Sequence, residues 1–191
     1  MKWILASQSP RRIELLSRLG LDFIVQPAQI QEQRSKNEKP ESYVLRVSLL
    51  KAKKAAQNFS SGVVIGADTI VVLNNQFLGK PENENRAKEI LMMLSGKAHF
   101  VFTGIALIQI KTQKLATGYA KSKVYFSTLS PKIIDWYIKS LEPLDKAGAY
   151  GIQGKAGMFI EKIEGCYFNV VGFPLNLFYQ LTQKLGINFI D

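Results

Sequence analysis

The stretch Leu5-Ala6-Ser7-Gln8-Ser9-Pro10-Arg11-Arg12 is typical of a strand that runs through a short loop directly into a helix. Ser9 is a favourable N-cap residue, and Pro10 suits the first helical position because its missing N–H costs nothing there. Arg11 and Arg12 follow in the first turn, where basic residues oppose the helix dipole. Because a helix N-terminus already attracts anions, the added guanidinium groups indicate a phosphate-binding site. An ordinary capped helix with two solvated arginines is the alternative.

A continuous apolar run, Val63–Ala67, predicts a central strand that is covered on both faces and ends at Asp68-Thr69. Two long strand patterns, His99–Ile110 and Leu115–Phe126, are joined by a short polar turn and predict antiparallel pairing. Helical patterns alternate with these strands. The chain is therefore predicted to be a single α/β domain over residues 1–191, with a mixed twisted sheet flanked by helices.

The remaining predicted elements end at clear turn or capping residues. The predicted helices cover Pro10–Leu19, Glu41–Asn58, Glu82–Leu94, Pro131 to near Ser140, and Pro174–Lys184. The other predicted strands cover Trp3–Ala6, Phe23–Val25, Ile70–Leu73, Gln76–Leu78 and Met158–Ile163. A polar loop over Gln26–Lys39 is long enough to indicate a functional lid or rim.

The charge balance of the chain points to an anionic partner. The formal net charge is +10 and the pI is near 9.7, which predicts attraction to nucleic acid, membrane headgroups or a polyphosphate substrate. The longest hydrophobic stretch, Phe100–Ile110, is interrupted by polar residues and is too short to span a membrane. Since the N-terminus carries no signal-peptide pattern, we expect a soluble cytoplasmic protein with no membrane partner.

The chain contains one cysteine and one histidine, which limits its possible chemistry. Cys166 has no partner for an intramolecular disulfide and lies beside large hydrophobic residues, so we expect a buried structural thiol. His99 begins a strand pattern and is expected to be structural. Together the two residues cannot form the usual zinc site or Cys/His catalytic pair.

Asp68 is the most informative carboxylate, because an acid at the end of a buried strand is costly unless it is hydrogen-bonded, paired or bound to a metal. It could hold a divalent cation, act as general base for a water molecule, or cap the neighbouring turn.

Lys51 is predicted to lie on the shoulder of the apolar stripe of its helix. A lysine that keeps its charge in water while its stem packs on apolar surface is the alternative. That stripe is predicted to consist of Leu45, Leu49, Ala52 and Ala56.

Two further segments could contact a ligand. Gly79-Lys80-Pro81 holds Lys80 on a rigid turn, where it could contact a phosphate or be solvated. The glycine-rich segment Gly148–Gly157 permits close approach of a ligand to the backbone, but it also suits tight turns. Gln153 within it carries a donor and an acceptor, which suits the edge of a nucleobase. Taken together, these residues indicate phosphoester or anhydride chemistry assisted by a metal.

The order of these motifs resembles that of the Maf family of nucleotide pyrophosphatases along nearly the whole chain. An ordered set of this kind is far more specific than any single motif. The matching segments are Ala6–Arg12, Gly66-Ala67-Asp68-Thr69, Gly79-Lys80-Pro81, Leu94-Ser95-Gly96 with His99 and Thr103-Gly104, Glu142–Gly154, and Gly165 with Val171–Leu175.

The resemblance implies hydrolysis of a nucleoside triphosphate between the α and β phosphates, with Mg²⁺ or Mn²⁺ as the divalent metal cation and a homodimer as the assembly. The implied fold is that of the inosine-triphosphate pyrophosphatases, in which two lobes enclose a central cleft. Asp68 matches the family's proton acceptor, and Glu32 is the candidate second metal ligand beside it. The positions assigned to phosphate contact or catalysis match Ser7, Arg12, Lys51 and Lys80.

Arg11, Thr69 and Gln153 match positions that mark subfamilies, and this combination resembles the branch that acts on dTTP and UTP. A pyrimidine edge can be met by an amide and a hydroxyl, whereas a methylated purine favours carboxylates and stacking. The alternative within the enzyme class is a pyrophosphatase for 7-methyl-GTP or non-standard purine nucleotides. The alternative from another class is a basic nucleic-acid-binding module. Against it, the sequence shows no aromatic residues interleaved with basic ones as a stacking platform.

Overall fold

A mixed β-sheet forms the framework of the computed structural model, which describes residues 1–188. The strands are β1 Trp3–Leu5, β2 Phe23–Val25, β3 Val63–Leu73, β4 Gln76–Leu78, β5 Ala98–Gln109, β6 Lys114–Phe126 and β7 Ile160–Glu164. They lie in the order β2-β1-β3-β5-β6-β7, and β4 pairs with β3 outside this path.

Parallel and antiparallel pairs both occur in this sheet. β1 pairs in parallel with β2 and β3, whereas β4 pairs antiparallel with β3 and β7 pairs antiparallel with β6. The predicted mixed sheet is therefore confirmed. Leu5 of β1 lies opposite Ile65 of β3, and the Ala6 amide donates to the Ile65 carbonyl at 2.8 Å. Because β1 and β3 are parallel and paired in this register, the residues that follow β1 lie beside the middle of β3. Ser7 and Asp68 therefore lie in the same part of the sheet.

Helices flank the strands, and most of them match the predicted segments. The α-helices are α1 Pro10–Arg18, α2 Pro40–Ala56, α3 Glu84–Leu94, α4 Pro131–Ile138, α5 Tyr167–Val171 and α6 Leu175–Lys184. The sequence pattern does not predict α5, nor the 3₁₀ helices that replace much of the expected glycine-rich loop. These cover Glu142–Asp145, Ala147–Ala149 and Lys155–Phe159. None of the helices formed by residues 1–188 combines the length and the apolar character that a membrane span requires.

Strand β3 differs from its prediction because it continues without a break through Asp68 and Thr69 to Leu73. Asp68 therefore lies inside an 11-residue strand and not at the end of one. The predicted break assumes that a carboxylate interrupts a buried strand, but Asp68 forms an ion pair with Lys51 of α2. A paired charge needs no turn to accommodate it, so the strand continues.

Helix α2 buries a different face from the predicted stripe, because its backbone lies directly against β3 and β5. A Cβ atom on Gly66 of β3 would lie 2.0 Å from the Ser48 carbonyl oxygen, and one on Gly104 of β5 would lie 2.3 Å from the Val44 carbonyl oxygen. Both strands therefore need glycine to admit the helix at this distance. The buried residues of α2 are Tyr43, Val44, Val47, Ser48, Ala52 and Ala55, while Leu45, Leu49 and Ala56 are half-buried.

The chain comprises two compact units, which we call unit 1 and unit 2. Unit 1 consists of Met1–Asp68, Thr103–Ala120 and the chain from Gly172 onward. Unit 2 consists of Thr69–Phe102 and Lys121–Val171. Strands β3, β5 and β6 each contribute residues to both units.

The core of unit 2 is formed by α3 and α4 together with residues of β3, β5 and β6. His99 lies among aromatic rings there, with its centroid 5.1 Å from that of Phe126 and 5.4 Å from that of Tyr150. Its Nε2 atom is 2.8 Å from the Tyr150 hydroxyl, and burial lowers the pKa of His99 to about 4. His99 is thus structural, as predicted. Cys166 is only half-buried, not buried as predicted; its backbone N–H donates to the hydroxyl of the buried Ser122, and its carbonyl accepts from that hydroxyl.

The outer face of β6 and β7, together with Phe100 of β5, corrects one expectation from the sequence, because lysines and aromatic rings do interleave there. The Nζ atom of Lys121 lies 4.2 Å from the ring centroid of Phe100. Those of Lys123 and Lys162 lie 4.8 Å and 5.5 Å from the ring centroid of Tyr125. The sequence does not reveal this pattern, because the alternation runs between neighbouring strands and not along one segment.

Replacing His99 should remove a pH-dependent loss of stability. Histidine binds a proton near pH 6.5 in the unfolded chain but only near pH 4 in the folded protein, so protonation favours unfolding between these values. As the pH falls from 6.5 to 4, wild-type protein should lose about 3 kcal/mol of unfolding free energy relative to His99→Gln, which does not titrate. Urea denaturation at a series of pH values measures this difference. Parallel pH profiles for the two proteins would contradict the assignment.

Candidate active site

The loop between β1 and α1 brings Ser7 and Arg12 into contact within unit 1. The Ser7 hydroxyl oxygen accepts hydrogen bonds from the Ser9 amide at 3.2 Å and from Arg12 Nη1 at 3.0 Å. With both acceptor positions used, the Ser7 O–H is left to donate, which suits a phosphate oxygen. Ser9 is the N-cap residue of α1 as predicted, although within residues 1–188 its side chain makes no capping hydrogen bond.

Arg12 is buried and connects three segments of unit 1. Its Nη1 also donates to the Ala67 carbonyl at 2.9 Å, and its Nε donates to the Gly172 carbonyl at 3.0 Å. Burial lowers the pKa of Arg12, whereas the charges of Asp68 and Glu32 raise it. The phosphate contact of Arg12 stays a prediction, and the geometry adds a structural role. The guanidinium ties α1 to β3 and to the segment that precedes α6.

Lys51 of α2 lies between two carboxylates. Its Nζ atom is 2.7 Å from Oδ1 of Asp68 and 2.8 Å from Oε1 of Glu32. The Lys51 and Asp68 side chains are only 12% and 9% exposed, whereas the Glu32 side chain is 47% exposed. The predicted position of Lys51 beside the buried face is confirmed. The alternative, a lysine that keeps its charge in water, is wrong.

The surroundings of Asp68 determine how readily it takes up a proton. Burial raises the pKa of Asp68 above its usual value. Lys51 opposes this shift through its charge and its hydrogen bond, and Arg12 opposes it through its charge, while the charge of Glu32 adds to it. Asp68 is therefore more basic than an exposed aspartate, which suits a general base.

Glu32 is held in place by residues that the sequence pattern does not reveal. The Tyr43 hydroxyl of α2 donates to the Glu32 carbonyl oxygen at 2.8 Å. Arg46, on the same helix, donates to the two carboxylate oxygens of Glu38 at 2.7 and 2.8 Å and to the Gln33 carbonyl at 2.9 Å. The loop predicted as a lid or rim is therefore fastened to α2 close to Glu32. The sequence offers one indication of this contact, which is that Tyr43 follows Pro40 in the first turn of α2.

Glu32 and Asp68 fit a divalent cation. Both carboxylates approach one point, that of the Lys51 ammonium nitrogen, within 2.8 Å. Mg²⁺ is commonly bound by one or two protein carboxylates, with water and substrate phosphates completing its shell, so this donor set suits it. Within residues 1–188, no group of three or more His, Cys, Asp or Glu residues is arranged to hold a metal ion.

The other predicted site residues are divided between the two units. Arg11 is half-exposed in the first turn of α1, in unit 1. Thr69, Lys80 and Gln153 belong to unit 2. Thr69 is half-buried within β3, whereas Lys80 and Gln153 are exposed.

Within unit 2, the turn that carries Lys80 is joined to the glycine-rich segment. The Gly148 amide donates to the Gly79 carbonyl at 3.1 Å. Gly148 has a φ angle of 72°, and a Cβ atom there would lie 2.7 Å from Cγ2 of Val71. Only glycine tolerates both this φ angle and this close contact. Gly148 therefore holds the glycine-rich segment against the turn that carries Lys80.

The fold is that of an α/β protein, and unit 1 contains a cluster of functional groups. One hydroxyl group, two cationic side chains and two carboxylates lie close together there. The chain belongs to the Maf family, since residues 2–185 match the family model described as Maf-like protein.

Several curated relatives are similar over nearly the full length. A dTTP/UTP pyrophosphatase of Dictyoglomus thermophilum is 43% identical over 188 residues, covering 98% of this chain and 97% of the relative. One of Clostridium tetani is 45% identical over 191 residues, covering 98% of this chain and 100% of the relative. Among solved structures, the Staphylococcus aureus Ham1 protein matches with a TM-score of 0.56 at 14% identity, covering 97% of this chain and 100% of that chain. This last similarity supports the fold alone.

Replacing Arg12 by lysine should destabilise unit 1. Lysine cannot present the forked donors that reach Ser7, Ala67 and Gly172, so buried carbonyl oxygens lose their partner. We expect the unfolding free energy to fall by about 2 kcal/mol, measured by urea denaturation. The half-exposed neighbour provides the control, and Arg11→Lys should change the stability by less than about 0.5 kcal/mol. Equal effects of the two substitutions would contradict the structural role of Arg12.

Proposed function

We propose that this protein is a nucleoside triphosphate pyrophosphatase that hydrolyses dTTP and UTP to the monophosphate and pyrophosphate. The observation that carries the proposal is the contact of Lys51 with both Asp68 and Glu32, beside Ser7 and Arg12. The names of the full-length relatives support the choice of substrate.

The residues of unit 1 have distinct roles in the proposed reaction. The Ser7 hydroxyl donates to a phosphate oxygen, and Lys51 supplies positive charge to the triphosphate. Asp68 accepts a proton from the water whose oxygen attacks the α-phosphorus. The new bond joins that oxygen to the α-phosphorus, the bond from the α-phosphorus to the bridging oxygen breaks, and pyrophosphate leaves. Asp68 and Glu32 would hold Mg²⁺ or Mn²⁺, which when bound would supply further positive charge to the phosphate oxygens.

The remaining predicted site residues complete the proposal. Lys80 contacts phosphate, and Arg12 contributes charge to the same ligand through its position beside Ser7. Arg11, Thr69 and Gln153 select the base. We also propose a homodimer in the cytoplasm, supported by the family resemblance and, for the compartment, by the single cysteine of the chain.

Loss of the Asp68 carboxylate should abolish most of the activity. With Mg²⁺ or Mn²⁺, wild-type protein should release pyrophosphate from dTTP and UTP in preference to 7-methyl-GTP and ITP. Asp68→Asn keeps the size of the side chain but removes the proton acceptor, so kcat should fall by about 10² to 10⁴. The control is Asp22→Asn, at an exposed carboxylate of unit 1, which should retain full turnover.

Three results would redirect the assignment. Near-full activity of Asp68→Asn would reject Asp68 as the base. A preference for 7-methyl-GTP or ITP would keep the pyrophosphatase and reject the pyrimidine selection. A lack of turnover with all four nucleotides would reject the enzyme.

A second candidate activity, binding of single-stranded nucleic acid, is favoured by the lysine and aromatic face of β6 and β7. Lysines placed over Phe100 and Tyr125 combine charge for phosphates with rings on which bases stack. A single-stranded oligonucleotide should bind with an affinity that falls as salt rises, and Lys121→Glu should weaken it about tenfold. Lys132→Glu, at an exposed lysine of α4, is the matched control. No binding at low salt, or an equal loss in the control, would reject this activity.

A further inference from the structure

The turn that carries Gln153 is held from both sides by one carboxylate and one hydroxyl. Oε2 of Glu142 accepts from the Lys155 amide at 3.1 Å, two residues after Gln153. Oε1 of Glu142 accepts from the Tyr137 hydroxyl at 3.0 Å. The Tyr137 hydroxyl oxygen in turn accepts from the Gly151 amide at 3.3 Å, two residues before Gln153. A single chain of hydrogen bonds therefore brackets the turn.

The glycines of this turn lie directly against the same groups. A Cβ atom on Gly154 would lie 2.1 Å from Oε1 of Glu142, and one on Gly151 would lie 2.6 Å from Cε of Lys146. The Gly154 amide donates to the Gly151 carbonyl at 3.1 Å, which closes the turn. The glycines are thus needed so that the backbone can reach the carboxylate, and the segment has little room to move.

The groups that hold the turn are themselves fixed in unit 2. The Tyr137 ring is fully buried and lies edge-on to Phe159, with the ring centroids 5.3 Å apart. Burial, followed by the charge of Glu142, raises the pKa of Tyr137, so its hydroxyl keeps the proton that it donates. Lys146 Nζ donates to the Glu142 carbonyl at 2.7 Å. Leu141, which precedes Glu142, has a φ of 60°, a conformation that a leucine keeps only where its surroundings impose it.

We propose that Glu142, acting with Tyr137, is a positioning residue that sets the orientation of Gln153 and thereby the choice of base. This inference rests on the proposed function. The edge of uracil or thymine offers a carbonyl acceptor and an N–H donor, and a fixed amide can meet both, whereas the edge of cytosine reverses the two. A turn that moved would carry the Gln153 amide out of reach of that edge, so its contact with the base requires the turn to be held.

A carboxylate is required at position 142 because two donors, the Tyr137 hydroxyl and the Lys155 amide, approach its two oxygens. Glutamine has a single amide oxygen, so it can accept from only one of the two groups that donate to Glu142. Glu142→Gln therefore loosens one end of the turn while nearly keeping the size of the side chain.

The test compares kcat/KM for UTP and CTP in wild-type protein, Glu142→Gln, Gln153→Ala and the double variant. Glu142→Gln should lower the UTP-to-CTP ratio about tenfold, as should Gln153→Ala. The double variant should show no further decrease, because Glu142 acts through Gln153. Glu161→Gln, at an exposed carboxylate of β7 in unit 2, is the control and should leave the ratio unchanged.

Amide hydrogen exchange provides a readout that does not depend on activity. The Lys155 amide should exchange faster in Glu142→Ala, which removes both carboxylate oxygens, and the Gly151 amide faster in Tyr137→Phe, which keeps the buried ring but removes the hydroxyl. Both variants should unfold cooperatively, so that a global loss of structure is not mistaken for the local effect.

The outcomes separate this inference from the function on which it rests. Equal losses of kcat/KM for UTP and CTP in Glu142→Gln, or additive effects on the ratio in the double variant, would overturn the positioning role. Unchanged exchange of the Lys155 amide would overturn it whatever the substrate. A ratio that responds to Gln153→Ala but not to Glu142→Gln would reject it and leave the proposed function intact. A wild-type protein inactive on both nucleotides would reject the proposed function, and the inference about base choice with it.

Discussion

The close approach of α2 to β3 is the constraint on which the site in unit 1 depends. Gly66 lies so near the Ser48 carbonyl that a single Cβ atom would come within 2.0 Å of it. Ser48 precedes Lys51 by three residues, so any outward shift of the helix would carry the ammonium group away from Asp68. The Lys51 contact with two carboxylates is thus a consequence of a glycine in a strand, and the glycine has no chemical role of its own.

This arrangement resolves the difficulty of placing an aspartate inside a strand. Burial disfavours the ionised carboxylate, while Lys51 and Arg12 favour it. On the proposed function, the same two cations also serve the triphosphate, so the groups that permit Asp68 to be buried are the ones that the substrate would use. Stability and the proposed chemistry therefore draw on one set of charges, and a substitution in this set would alter both.

Local pattern predicted the elements that end at capping residues and that the buried Asp68 needs a partner, because both depend on neighbours in the sequence. It did not predict what Arg12 bonds, since the Ala67 and Gly172 carbonyls are 55 and 160 residues away along the chain. Tyr43, which holds the backbone at Glu32, escaped notice for the same reason. The interleaving of lysines and rings also depends on strand pairing, as Tyr125 and Lys162 come together only through the β6–β7 register.

The glycine-rich segment shows a use of glycine that composition alone does not reveal. The sequence predicted either close approach of a ligand or tight turns, and in unit 2 the glycines allow the backbone to lie directly against Glu142 and Val71, where larger residues would not fit. In the folded state, the amides of these glycines are hydrogen-bonded to fixed groups. The glycines therefore lose the conformational freedom that they have in the unfolded chain. On the proposed function, this segment contacts the base, which is the part in which nucleoside triphosphates differ. A change in the support beneath Gln153 would then alter which base is accepted without altering how the phosphate bond is broken.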